Sequence, residues 1–177
     1  MKRPSINQVM MKCASAFAER STCERVKAGA VIAVDNHIVS TGYNGNAPGQ
    51  NHCSDYFYNL WVSKYKQSGS IYGTNNGYED FLESATFKKL HHEWAIIHEL
   101  HAEMNAIIYA SRRGISIVGG DIYTTYSPCI FCTKAILQAG LKRVFYNKLY
   151  DRPEGHESIG ILKDNGITII KINLEEE

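Results

Sequence analysis

Two cysteines, Cys129 and Cys132, three positions apart in "SPCIFCTKAILQAG", constrain this chain more than any other feature. Ser127 as N-cap, Pro128 at the first helical position and Gly140 past the end predict a helix whose first turn carries both sulfurs. A helix N-terminus favours negative charge and lowers thiol pKa, which suits thiolate ligands. Alone, the pair fits two small buried residues or a redox couple as well as it fits metal ligands. A third partner is offered by "HAE", His101 to Glu103, opening the preceding helix "HAEMNAIIYASRRG", which Gly114 closes from the C′ position. Residues two apart do not share a helix face, so His101 and Glu103 serve one site only if it lies off the helix end. Two helix N-termini aimed at one point supply an imidazole, two thiolates and a free carboxylate. Three protein ligands plus an open position are the pattern of catalytic zinc, with Glu103 a proton shuttle rather than a ligand.

The rest of the chain is consistent with an enzyme of small molecules. Its 177 residues suit one domain, 1–177, able to bury a core without staples. A net charge of +1 and the acidic end "NLEEE" argue against a grip on long nucleic acid. No stretch has the length of a membrane span, and the N-terminal segment, amphipathic and carrying Glu19 and Arg20, lacks the apolar run of a signal peptide. Five cysteines, an odd number, imply reduced thiols and a cytoplasmic setting.

Ser5 predicts the cap of a first helix of roughly fifteen residues with Ile6, Val9, Met10, Cys13 and Phe17 on its apolar face. "KAGAVIAV", the turn "DN" and "HIVSTGYNG" read as an antiparallel hairpin. From about 46 to 98 the periodicity decays into a long insertion with helical patches at Tyr56–Tyr65 and Tyr78–Trp94, and an insertion rich in aromatic residues favours a function. Strands at "DIYTTY", "RVFYNKL" and "ITIIKINL" alternate with helices, the last near Glu157–Asn165. That alternation predicts a five-stranded mixed sheet with helices on both faces.

H-x-E followed by P-C-x-x-C is the signature of zinc nucleobase deaminases. Together "KAGAVIAVDNHIVSTGYNG", the insertion with "NHCSDY", "HAEMNAI" and "YSPCIFCTKAI" resemble the deoxycytidylate (dCMP) deaminases, especially those of tailed bacteriophages, over nearly the whole chain. The resemblance implies the cytidine deaminase-like three-layer α-β-α fold, hydrolysis of dCMP to dUMP for thymidylate synthesis, and a homohexamer in the cytoplasm, that of the infected host if phage-encoded. It implies that Asn44 contacts the deoxyribose, that Tyr150, Lys27 and Ser127 belong to the substrate site, and that phage members carry a second, structural zinc. The matching ligands are Cys23, Cys53, His91 and Glu99, with His52, His92 and His98 as rivals.

The family is also activated by dCTP and inhibited by dTTP, with Mg²⁺ on the triphosphate; Asn46, Asp55, Ile108 and Arg112 match the effector site. Here the chain departs from its relatives, with Asn46 and Ala47 where a hydroxyl or methionine and then proline are usual. A dual dCMP/dCTP deaminase stays open as an alternative. A tRNA adenosine deaminase is the further one, but it would have a short connection before "HAE" and a basic C-terminal helix.

Overall fold

The structure, a computed structural model, describes residues 3–66, 77–150 and 153–174. In chain order its elements are α1 (Ile6–Ala18), β1 (Gly29–Val34), β2 (His37–Tyr43), β3 (Gly45–Asn46), α2 (Cys53–Trp61), α3 (Gly77–Glu83), α4 (Ala85–His98), β4 (Glu99–Leu100), α5 (Ala102–Arg112), β5 (Asp121–Tyr126), α6 (Ile130–Gln138), β6 (Arg143–Lys148), α7 (Pro153–Asp164) and β7 (Thr168–Lys171). They fall into two compact units.

The first unit draws on Met1–Ser21, Ala28–Asn44 and His101–Glu177. Its sheet has the order β2-β1-β5-β6-β7. The β1 strand runs antiparallel to β2 and β5, while β5, β6 and β7 are mutually parallel, as the alternation of strands and helices predicts. Asp35 and Asn36, at φ 49° and 64°, form the hairpin turn, residues that tolerate the left-handed region. Successive residues of β1 face opposite layers. Ala30 and Ile32 join Ile122 and Val144 beneath Ala102, Ala106, Ala110, Ile136 and Leu162. Val31 and Ala33 join Tyr123 and Phe145 against Met10, Met11 and Ala14 of α1. The expected three-layer α-β-α arrangement is present.

Ser5 caps α1 through a full capping box with Gln8. The face that α1 buries overlaps the expected one, with Met10 buried and Cys13 and Phe17 partly buried against the same cluster, but is rotated from it. Ile6 and Val9 are exposed, whereas Met10, Met11, Ala14 and Ala18 are buried. The reason is Gly29: a Cβ there would stand 2.0 Å from the Ala14 carbonyl oxygen, so helix and strand backbones touch and the side with alanines must face the sheet. The helix has 13 residues, close to the length expected.

The second unit holds Thr22–Lys27 and Gly45–Leu100. Helices α2, extended by a π turn over Val62–Lys66, α3 and α4 correspond to the two helical patches, and Ser84 divides the second patch by capping α4 at Phe87 N. Positions 67–76, within the insertion, lie outside the described residues. Its core is aromatic: Phe57, Trp61, Phe81, Phe87 and Trp94 pack around Cys23 and Cys53. A two-residue ladder pairs Gly45 with Leu100 and Asn46 with Glu99. Among the described residues no helix is long and apolar enough to cross a membrane.

Candidate metal centre and active site

His101 is the N-cap of α5 and Cys129 the N-cap of α6, both extended in backbone and neither making a side-chain capping bond. The two caps instead point at each other. Cys129 Sγ lies 3.3 Å and Cys132 Sγ 3.5 Å from His101 Nδ1. The ligand atoms of the three residues all fall within 4.8 Å of one another, the donor set that a tetrahedral zinc with one open position takes. The site off the helix ends, required by the i, i+2 spacing of "HAE", is therefore formed.

Cys129 is drawn down to about 4, first by the hydrogen bond from Cys132 and then by His101, against the effect of burial. Cys132 moves up for the complementary reason. Glu103, in the first turn of α5, is 6% exposed, and burial is the main cause that raises its pKa. A buried carboxyl that holds its proton more tightly than one in water suits general acid–base work.

One sequence expectation is corrected at this site. Ser127 does not cap α6, which begins at Ile130 behind Cys129. Its backbone N–H donates to the Lys148 carbonyl at 2.8 Å, continuing the β5–β6 ladder, and its Oγ accepts from Tyr150 N at 2.9 Å. The hydroxyl is engaged in holding Tyr150 beside the cysteine-bearing loop. Pro128 then carries the extended approach to the helix rather than its first turn.

Asn44 is buried at 6% exposure, its N–H donating to Ala28 O at 3.1 Å and its Oδ1 accepting from Ala28 N at 2.8 Å. Sequence reasoning missed the contacts that seat α5 on β2. Ser40 Oγ donates to Ala106 O at 2.6 Å, Asn105 Nδ2 donates to Tyr43 O at 2.7 Å, and a Cβ on Gly42 would stand 2.2 Å from Ala102 O. The only local signal was a polar residue, Asn105, one turn after His101.

The second unit contains its own cluster: the ligand atoms of Cys23, Cys53, His91 and Glu99 also lie within 4.8 Å of one another. Cys23 Sγ is 3.2 Å from His91 Nε2, and the ring of His91 stacks 5.5 Å from that of Phe57. His91, not His52, His92 or His98, joins the group. Cys23 is drawn down by its bond with Cys53, whose own thiol is pushed up in return, and burial raises Glu99 to about 7. Glu99 Oε1 is buried without a hydrogen-bond partner, as expected of an atom built to meet a cation. Four converging donors with an orphaned carboxylate oxygen fit a closed zinc site.

The remaining candidates are dispersed. In the second unit Lys27 is exposed, Asp55 is exposed in the first turn of α2, and Asn46 donates to Asn51 O while its Oδ1 is buried without a partner. In the first unit Ile108 and Arg112 lie one turn apart on the exposed side of α5, and Tyr150 is part-buried.

Comparison with known proteins agrees with this geometry. Residues 4–148 match the family model described as the cytidine and deoxycytidylate deaminase zinc-binding region. The chain is 36% identical over 171 residues to the deoxycytidylate deaminase of Enterobacteria phage T4, covering 92% of this chain and 88% of that protein. It is 33% identical to ComE operon protein 2 of Bacillus subtilis, covering 99% of this chain and 76% of the relative. Among solved structures, dCMP deaminase from cyanophage S-TIM5 in complex with dCMP and dUMP superposes with a TM-score of 0.67 at 29% identity, covering 97% of this chain and all of the other.

Proposed function

The chain belongs to the cytidine and deoxycytidylate deaminase zinc-binding family, and from this premise we propose that it hydrolyses dCMP to dUMP and ammonia. The observation that carries the reading is the convergence of His101, Cys129 and Cys132 beside the buried carboxyl of Glu103. Zinc, when bound by the three residues, supplies the Lewis acidity that makes water a nucleophile near neutral pH. Glu103 holds the nucleophilic water, takes its proton as the C4–O bond forms, and delivers protons to N3 and to the departing amine. One water is consumed, the C4–N bond breaks, and one ammonia leaves. Asn44 holds the deoxyribose; Tyr150, held by Ser127, and Lys27 cradle the phosphate.

The second cluster, Cys23, Cys53, His91 and Glu99, holds a structural zinc in the segment that includes the 46–98 insertion of the single deaminase domain. Asn46, Asp55, Ile108 and Arg112 form an effector site in a homohexamer, where dCTP with Mg²⁺ activates and dTTP inhibits; Arg112 offers a guanidinium suited to phosphate. The enzyme acts in the cytoplasm. The test is ammonia release from dCMP, dCTP, deoxycytidine and an adenosine-containing tRNA stem-loop, with and without each effector, beside zinc per chain. Turnover of dCMP alone, raised by dCTP and lowered by dTTP, is expected; turnover of dCTP or RNA instead would overturn the substrate assignment and leave the zinc chemistry standing.

A further inference from the structure

The seam between β2 and α5 is fastened by three contacts, and one of them reaches past the sheet. Ser40 Oγ bonds to Ala106 O at 2.6 Å, and the bare backbone of Gly42 lets the Ala102 carbonyl lie against the strand. These two set how closely the helix packs. Asn105 is different in kind. Its backbone N–H donates to His101 O at 3.0 Å, closing the turn that bears His101 and Glu103, while its side-chain Nδ2 donates to Tyr43 O at 2.7 Å. Tyr43 is the last residue of β2, and the next is Asn44, gripped from its other side by both polar groups of the Ala28 backbone.

We propose that Asn105 is a positioning residue, which sets Asn44 at a fixed distance and angle from Glu103 by tying the end of β2 to the first turn of α5. This rests on the reading of Asn44 as a nucleotide contact. A half-exposed helical position of this kind would favour helix stability with alanine, lysine or glutamate, and asparagine is among the poorer helix formers. Its use here is explained by the one carbonyl that it reaches. With the sugar side of the nucleotide held by Asn44 and the pyrimidine facing Glu103, loss of this tie lets the two recognition points drift. Misplacement by about 1 Å costs on the order of 100-fold in rate.

The test compares Asn105→Ala, Asn105→Asp, Asn44→Ala and the Asn44→Ala/Asn105→Ala double variant in the zinc-loaded protein. Steady-state kinetics with dCMP, the dissociation constant of dUMP, zinc per chain and Tm are measured on each. Asn105→Asp keeps the shape and removes the donor, so a packing role predicts near-normal values for it. The tie predicts that Asn105→Ala and Asn105→Asp both lose on the order of 10- to 100-fold in kcat/KM and bind dUMP more weakly, with unchanged zinc content. It predicts further that the double variant is no worse than Asn44→Ala, because the two residues act in series. Fully additive losses, or wild-type kinetics in Asn105→Asp, overturn the tie. An inert Asn44→Ala overturns it as well, through the nucleotide-contact reading on which it stands; wild-type protein that does not turn over dCMP places the failure in the proposed function itself.

Discussion

Gly42→Ala is the perturbation whose effect is best fixed by the geometry. The added Cβ would meet Ala102 O at 2.2 Å and Ala106 N at 2.6 Å, both backbone atoms of α5 that cannot rotate away. Ordinary contact begins near 3.4 Å, so α5 must retreat from β2 by about 1 Å. His101 and Glu103 ride on the turn that retreats, and the donor separations at the metal site are only 3.3 and 3.5 Å. Overpacking of this kind costs about 1–3 kcal/mol, or roughly 2–12 °C in Tm for a chain of this size. The internal control is Gly29→Ala, which makes an equal collision, 2.0 Å from Ala14 O, on the opposite face of the sheet where α1 lies. Both variants are expected to lose comparable Tm by differential scanning fluorimetry. Activity per bound zinc, however, should fall on the order of 100-fold in Gly42→Ala alone. Equal activity losses per zinc in the two variants, or normal turnover in Gly42→Ala, would refute the link from this contact to the active site.

Glu103→Gln keeps the size of the buried side chain and removes its proton chemistry; zinc content measured by mass spectrometry should be unchanged while kcat falls by about 10²–10⁴-fold. Cys53→Ala removes one of four donors from the second cluster, so zinc per chain should drop by one while the ion at His101, Cys129 and Cys132 stays; an unchanged count would remove the second site. Ser127→Ala deprives the Tyr150 N–H of its acceptor, a loss of about 1–3 kcal/mol. Its KM for dCMP should rise with zinc unaffected, and an unchanged KM would take Tyr150 out of the phosphate site.

Where a local rule and the tertiary contact agree, the sequence was enough. The N-cap at Ser5, the Asp35–Asn36 turn and the Gly114 stop at φ 65° were all legible because each is satisfied within a few residues. The face of α1 was not, because it depends on Gly29, a strand residue whose missing side chain matters only once the helix lies on it. Ser127 was misread for a related reason: Ser-Pro is a strong helix-start signal, yet the pairing of its N–H with Lys148 extends a parallel ladder that no local pattern reveals. The candidate metal-binding trio was legible from spacing because helix N-caps project in a known direction. The second cluster, scattered from Cys23 to Glu99 with no common period, was legible only through resemblance, and its assembly depends on the aromatic packing that seats His91.

The two donor sets also differ in charge, and this separates their roles. Two thiolates and a neutral imidazole cancel the charge of a zinc ion, leaving the cap-built centre neutral with a position open. Cys23, Cys53, His91 and Glu99 together carry one more negative charge than the ion and fill all four positions. Each further anionic ligand weakens the Lewis acidity by which an ion lowers the pKa of a bound water. A water at the second cluster would therefore be the poorer acid even if a ligand swung away to admit it. Glu103 stands outside the first donor set, which would preserve that neutrality and leave its carboxyl free for the proton transfer proposed for it; Glu99, among the second set of donors, would do neither. On the proposed reading, reactivity would be confined to the site where two helix N-termini meet, and a zinc in the second quartet would fasten the 45–100 segment.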